Sequence, residues 1–281
     1  MSLNLLKAAL FGLVEGVTEW LPVSSTGHMI LLNEFVKLDV SEEFWNLFLV
    51  VIQFGAILAV ILLYWNTIWP LGIKKHRKRT RIVWKKNTLQ LWAKTIVACI
   101  PAAVVGVLLD DWLDEHLYNW AVVSIMLILV GAAFLVVENR EAKKNEPARV
   151  QNLDELSYKD AFAIGLFQLV AACLPGTSRS GSTIIGGLVI GVSRTVAAEF
   201  TFVLAIPVMA GASLLKMVKY NGALSGDEKL ILAVGMVVAF VVSMFIIRFL
   251  MNYIRRHDFK VFGWYRIALG AAVILYFALR G

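Results

Sequence analysis

The chain has 281 residues, 59% of them hydrophobic and 17% charged, with a formal net charge of +7 and a mean hydropathy of +0.74. Soluble domains carry roughly 45–50% apolar residues and about 25% charge, so the composition excludes a water-soluble globular fold and implies an all-α integral membrane protein. The positive charge does not point to nucleic acid, because Lys and Arg gather in short loops between apolar runs and form no basic-aromatic groove pattern.

The first segment, 3–36, is apolar but interrupted near its middle by LPVSSTGH. Its start, MSLNLLKAALFGLVEGVTEW, has no early basic region and carries two glutamates, so no cleavable signal peptide is expected. A clean span follows at 43–68, then a loop holding Lys74, Lys75, Arg77, Lys78, Arg79, Arg81, Lys85 and Lys86. Spans at 88–109 and 119–138 flank an acidic stretch with Asp110, Asp111, Asp114 and Glu115. Arg140, Lys143, Lys144 and Arg149 mark the next loop. The second interrupted segment, 158–193, is broken by LPGTSRSGST. Spans at 196–219, 229–251 and 261–279 complete the chain, with Asp227 and Glu228 in one connection and Arg255, Arg256 and Lys260 in the other. Cys99 and Cys173 lie inside apolar segments without metal-ligand spacing and read as packing residues, not a disulfide.

The basic and acidic loops alternate through the six spans. The positive-inside rule then puts the three basic loops in the cytoplasm and both termini outside. A single crossing by either interrupted segment would upset that alternation, so each is expected to be a re-entrant helix–loop–helix. Irregular backbone at membrane depth survives only where protein or water covers it, so both breaks should face a protein-lined cavity. The two segments also resemble each other. Gly12 pairs with Gly165, Glu15 with Gln168, Pro22 with Pro175 and Ser25 with Ser178 at an offset of 153; further on, Glu43, Gly55, Ala56 and Tyr64 pair with Glu199, Gly211, Ala212 and Tyr220 at an offset of 156. The chain therefore reads as two copies, 1–150 and 151–281, each a re-entrant hairpin plus three spans. Three crossings invert the second copy, and such inverted-topology repeats place a site near the midplane.

Glu15 and Glu19 are four residues apart and share a helix face. Two carboxylates there require either protonation of one or a cation between them, and hard oxygen ligands suit Mg²⁺ or Ca²⁺. Ser24, Ser25, Thr26 and His28 then offer hydroxyls and an imidazole within five residues; a hydroxyl becomes a nucleophile when a base takes its proton. Ser25 or Thr26 is expected near His28, although a plain N-capping turn is the bland alternative. In the second break, Gly176, Thr177, Ser178, Ser180 and Thr183 surround Arg179 at a helix start. Backbone N–H groups, hydroxyls and a permanent guanidinium charge suit phosphate there. The partner of Arg179 is expected to be phosphate, Glu15 or Glu19. Arg194 and Glu199, just beyond, are candidates for an outer shell.

EGVTEWLPVSSTGH, VVIQFGAILAV and PGTSRSGST, in that order, resemble the bacterial undecaprenyl-diphosphate phosphatase family, of the bacitracin-resistance BacA/UppP type. The resemblance covers nearly the whole chain. It implies an inner-membrane phosphatase that removes the terminal phosphate of undecaprenyl diphosphate. That activity recycles the lipid carrier for peptidoglycan synthesis and confers bacitracin resistance. It also implies interlocked inverted repeats, a homodimer, and a divalent cation, Mg²⁺ or Ca²⁺. Residue by residue it assigns the acidic pair to Glu15 and Glu19, the hydroxyl and imidazole to Ser25 and His28, and the phosphate clamp to Ser178, Arg179 and Thr183. Ser25, His28 or a water remains open as the nucleophile, with His28 or Glu19 handling the proton. The cavity is expected to open outward. The competing class is a transporter or lipid flippase, since inverted repeats with broken helices suit carriers; against it, a carrier needs no Ser/His cluster facing an Arg-bearing anion loop. A purely structural scaffold would tolerate loss of Glu15, Ser25 and Arg179.

Overall fold

The computed structural model describes residues 2–76, 79–117, 119–144, 146–220 and 222–279. Among them, six helices are long and apolar enough to cross a membrane: α3 (Glu42–Leu63), α5 (Lys86–Leu117), α6 (Trp120–Glu141), α9 (Arg194–Lys219), α10 (Gly226–Ile254) and α11 (Lys260–Ala278). They coincide with the six expected spans. The two interrupted segments fold as helix pairs, α1 (Ser2–Thr18) with α2 (Ser25–Phe35), and α7 (Tyr158–Cys173) with α8 (Arg179–Val189). At 1.5 Å per residue, the 11 residues of α2 or α8 reach only about 16 Å, half of a hydrocarbon core.

Local chemistry sets most of the boundaries. Ser41, Asn119, Ser193 and Ser225 each accept a backbone N–H of the following turn and start α3, α6, α9 and α10. Ser157 starts α7 in a capping box with Asp160. Such caps stabilise a helix by about 1 kcal/mol each. Two boundaries differ from the sequence expectation. The first span stops at Leu63, and Trp65–Ile68 forms a separate single turn, α4. The second span continues as helix to Leu117, through the acidic stretch that was expected to be a loop. The all-α expectation also needs an amendment: the basic loop contains an antiparallel hairpin, β1 (Leu71–His76) with β2 (Arg79–Trp84). Arg77 and Lys78 lie outside the described residues, as do the side chains of Lys75, Arg79, Asp110, Asp111, Asp114 and Glu115.

Both ends of each interrupted segment come back together. At the start of α1, Asn4 Nδ2 donates to Asp39 O (3.2 Å) and Lys7 Nζ to Lys37 O (2.5 Å), just past the end of α2. In the second segment, Arg149 binds Asp160 at the start of α7 and also donates to Ile190 O (3.1 Å) at the end of α8. Each pair of broken helices is thus a hairpin whose tip is the Ser/Thr loop.

The helices pack crosswise between the two halves of the sequence. Helix α1 lies along α10, α7 along α5, α3 against α9, and α6 along α11. Small residues allow the close approach. A Cβ at Gly12 would meet Gly235 O at 2.4 Å, and one at Gly165 would meet Ala98 O at 2.4 Å. Without a hydrophobic drive between helices in lipid, this close packing and interhelical polar bonds supply the association. One such bond set joins three helices: Glu138, fully buried on α6, takes Arg194 of α9 in a bidentate pair and accepts Phe259 N at 3.0 Å beside α11. Removing Arg194 would leave the buried Glu138 carboxylate without its cation, a destabilising change.

Candidate active site

Two turns carry the site, one from each interrupted segment. After α1, the chain turns through Glu19 to Val23 and restarts at Ser25; after α7, it turns through Leu174 to Thr177 and restarts at Arg179. Ser24 (φ 75°) and Ser178 (φ 70°) are the positive-φ non-glycine residues of the described backbone. Both occupy the same position: each is the N-cap of the following helix, and its hydroxyl accepts the N–H three residues on, Gly27 N at 3.3 Å and Gly181 N at 3.2 Å. Non-glycine residues in this region carry strain that the surroundings must hold. The backbone therefore matches Ser24 with Ser178, one residue away from the Ser25–Ser178 pairing of the sequences. The residues that follow the two caps, Ser25 and Arg179, become the equivalent pair.

Those two residues meet at one carboxylate. Ser25 Oγ donates to Glu19 Oε2 at 2.7 Å, and Arg179 Nη2 donates to Glu19 Oε1 at 3.1 Å. Arg179 Nη1 donates to Thr201 O at 2.9 Å, and its guanidinium carbon lies 5.9 Å from the ring centre of buried Trp20. Ser180 Oγ donates to Glu19 O at 3.0 Å, stitching the second turn to the first. Thr183 Oγ1 pairs with Thr201 Oγ1 at 2.8 Å and donates to Arg179 O at 2.9 Å, and so braces the start of α8 against α9. Because Ser25 and Arg179 are the first residues of α2 and α8, two helix N-termini converge on Glu19. Their unpaired N–H groups and dipoles add to the attraction for an anion.

One turn earlier on α1, Glu15 is 1% exposed, and its Oε1 has no hydrogen-bond partner among the described residues. Thr177 Oγ1 and Arg179 Nε are also buried and unpartnered. Native interiors rarely leave such groups unmatched, and a polar ligand would satisfy them. Among the described residues no cluster of three or more His, Cys, Asp and Glu exists that could hold a metal by itself. A hard cation would find one open carboxylate oxygen here, Oε1 of Glu15, beside a Glu19 whose oxygens already bind Ser25 and Arg179, and would take ligand oxygens and water for the rest of its shell. Thr26 sits half-buried in the first turn of α2. Gly176, at φ 87°, lets the second turn pass against the backbone of Val123, where a Cβ would meet an oxygen at 2.6 Å.

His28 differs from the sequence expectation. It bonds neither Ser25 nor Thr26. Its Nδ1 lies 2.7 Å from Ser24 O, a carbonyl that can only accept, so Nδ1 carries the proton. Its Nε2 lies 2.7 Å from the hydroxyl of Tyr265, whose ring stacks on it at 5.6 Å. Arg194 and Glu199 also stand apart: Arg194 pairs with Glu138, and Glu199 feels Arg255.

Two residues of α11 were not singled out from the sequence. Tyr265 holds His28, and Arg266, 0% exposed, binds both turns. Arg266 Nη1 donates to Pro22 O (3.1 Å), and Nη2 donates to Gly176 O (2.8 Å) and Thr177 O (2.9 Å). An arginine within an apolar span was the available signal. Beyond His28 on α2, a cavity of about 730 Å³ is lined by Met29, Asn33, Asn46, Gln53, Leu215 and Lys216, polar enough to hold water.

Comparison with known proteins adds to this geometry. The family model described as bacitracin resistance protein BacA matches residues 8–272, which include both turns and α11 up to Ala272. The undecaprenyl-diphosphatase of Desulfitobacterium hafniense is 55% identical, covering 99% of this chain and 97% of its own length. Those of Acetivibrio thermocellus (54%, covering 98% of both chains) and Enterococcus faecalis (53%, covering 99% and 98%) are similarly close. The chain, with six membrane-length helices and a Glu19-centred junction of two broken helix pairs, is a multi-pass membrane protein that belongs to the bacitracin resistance protein BacA family.

Proposed function

We propose that this protein hydrolyses undecaprenyl diphosphate to undecaprenyl phosphate and inorganic phosphate, recycling the lipid carrier of peptidoglycan synthesis and conferring bacitracin resistance. The observation that carries the reading is the bridge at Glu19, which joins a hydroxyl from one turn to a guanidinium from the other. A carrier has no need of that pairing.

In the mechanism, Arg179, the hydroxyls of Ser178 and Thr177, and the start of α8 bind the diphosphate. Ser25 Oγ attacks the terminal phosphorus while its proton passes to Glu19 Oε2. The bond from that phosphorus to the bridging oxygen breaks, Glu19 passes its proton to that oxygen, and undecaprenyl phosphate leaves. Water then attacks the phosphoserine, Glu19 takes the water proton, and the Ser25 oxygen leaves as phosphate departs and recovers its proton. Phosphoryl transfer depends mainly on positioning and charge stabilisation, which these groups provide. His28 serves as a fixed neighbour of Ser24, not as the nucleophile, because both its ring nitrogens are engaged. Ser24, Thr26, Gly176, Ser180 and Thr183 shape the turns around the substrate. Glu15, with its free oxygen, and Glu19 would hold Mg²⁺ or Ca²⁺, which would neutralise diphosphate charge.

The reading includes two inverted repeats, 1–150 and 151–281, with re-entrant hairpins 3–36 and 158–193. The closed ends of both hairpins and the crosswise packing of α1 on α10 and α7 on α5 support it. It also has the protein in the bacterial inner membrane, with basic loops in the cytoplasm, both termini outside, a cavity opening outward, a homodimer, and no nucleic-acid partner.

Phosphate release from undecaprenyl diphosphate by purified protein in detergent tests the proposal, with and without Mg²⁺ or Ca²⁺. The expected result is release that stops on chelation and is recovered by added cation. Absence of release by a wild-type protein that still binds the lipid would remove the enzyme reading in favour of transport.

A further inference from the structure

The β1–β2 hairpin has no role in the site, and its two faces differ sharply. The register sets Ile73 opposite Ile82 and Leu71 opposite Trp84, so these side chains share one face. Ile73, Ile82 and Trp84 are 73%, 75% and 64% exposed. The other face sets Lys74 directly opposite Arg81. Like charges at that position repel, and the whole stretch from Trp65 to Trp92 contains no acidic residue to relieve them. A two-stranded ribbon that leaves Ile73, Ile82 and Trp84 bare on one side of its base is marginal in water.

The base of the hairpin is fixed where two spans end. Lys85 N donates to Pro70 O (2.8 Å), Lys85 Nζ to Asn66 O (3.0 Å), and Trp92 Nε1 to Ile68 O (2.8 Å). Beside it, Trp65 and Trp69 stack at 4.5 Å with both rings partly exposed. Tryptophans of this kind mark the headgroup level of a bilayer. At 3.3 Å per residue, each six-residue strand reaches about 20 Å across that level.

We propose that the hairpin is a docking surface for the anionic lipid of the surrounding bilayer. It lies along the membrane with Ile73, Ile82 and Trp84 at the boundary between headgroups and acyl chains. Lys74, Arg81 and exposed Lys86 draw phospholipid phosphates, which also relieve the repulsion between Lys74 and Arg81. Charge complementarity selects this occupant: a run of cations without an acid, on an element that begins and ends in the membrane, faces headgroup phosphate first.

Hydrogen exchange of the full chain in nanodiscs tests it, comparing phosphatidylcholine alone with phosphatidylcholine mixed with phosphatidylglycerol. Amides of β1 and β2 should exchange at least about tenfold more slowly in the mixed bilayer. Both I73S/I82S and K74E/R81E should remove the gain, with the protection of α6 and α11 unchanged as the check on folding. Equal exchange in the two bilayers overturns the proposal. So does protection that appears only on adding an acidic polypeptide to protein in neutral nanodiscs, which would make the face a protein-binding one.

Discussion

The two broken helix pairs share a frame and differ in what they put on it. Each turns through a positive-φ serine that caps the next helix, three residues before a glycine N–H. On that frame the first pair presents Ser25 and the second Arg179, one able to attack and the other able only to hold. The backbone solution is the same, while the chemistry has been divided between the two pairs. Glu19, in the first pair only, then serves both, and at the position aligned with Glu15 the second pair has Gln168, buried with neither amide atom bonded.

Removing the divided chemistry should have the largest effect. Ser25→Ala and Arg179→Ala should each lower kcat by about a thousandfold or more. Because both act on one phosphoryl group through one carboxylate, the double variant should be little worse than either alone. Turnover in a Ser25→Ala protein close to wild type would break the assignment of attack to the first pair.

Next comes the residue that joins the two turns. Arg266→Met leaves the carbonyls of Pro22, Gly176 and Thr177 without their donor, and unsatisfied buried groups cost about 1–3 kcal/mol each. The melting temperature in detergent should fall by several degrees, and activity should fall with it. An unchanged melt would show that the two turns hold their positions independently.

Tyr265→Phe sharpens a smaller asymmetry, since the imidazole belongs to the first pair alone. The loss of one hydrogen bond, with stacking kept, should lower kcat about three- to tenfold with an unchanged melt. A wild-type kcat would show that the hydroxyl does not hold His28 for the reaction. Ser24→Gly and Ser178→Gly should differ least from wild type. Glycine relieves the positive φ but loses the cap, at a net cost of a few tenths of a kcal/mol. Equal small shifts in the two melts would support a shared frame; a large shift in one would show that the frames are unequal.

The sequence carried the six spans, the two breaks and the residues Glu19, Ser25 and Arg179, because length, hydropathy and local polarity are sufficient for those. It did not carry the bonds that close the site, since His28 and Tyr265 lie 237 positions apart. Nor did spacing show that Ser24, and not Ser25, matches Ser178, because the shift appears only as a backbone angle. The β1–β2 hairpin was hidden for another reason. Its abundant lysine and arginine read as a solvated loop, and the alternation that pairs Ile73 with Ile82 was overlooked beneath the charge. The helical run through Asp110 to Glu115 was missed because acidic residues near a span end favour a loop reading over a continued helix.

The crosswise packing has a consequence for biosynthesis. Gly12 must close against Gly235, about 220 residues later in the chain. At ribosomal speeds of about 5–20 residues per second, α1 waits roughly 10–45 s for its partner helix. For most of that interval a newly inserted segment carries Glu15 and Glu19 before Arg179 is made, and α10 follows later still. Nascent chains therefore need a sheltered place for this segment beside the insertion machinery, and truncated chains ending before α10 should be rapidly degraded.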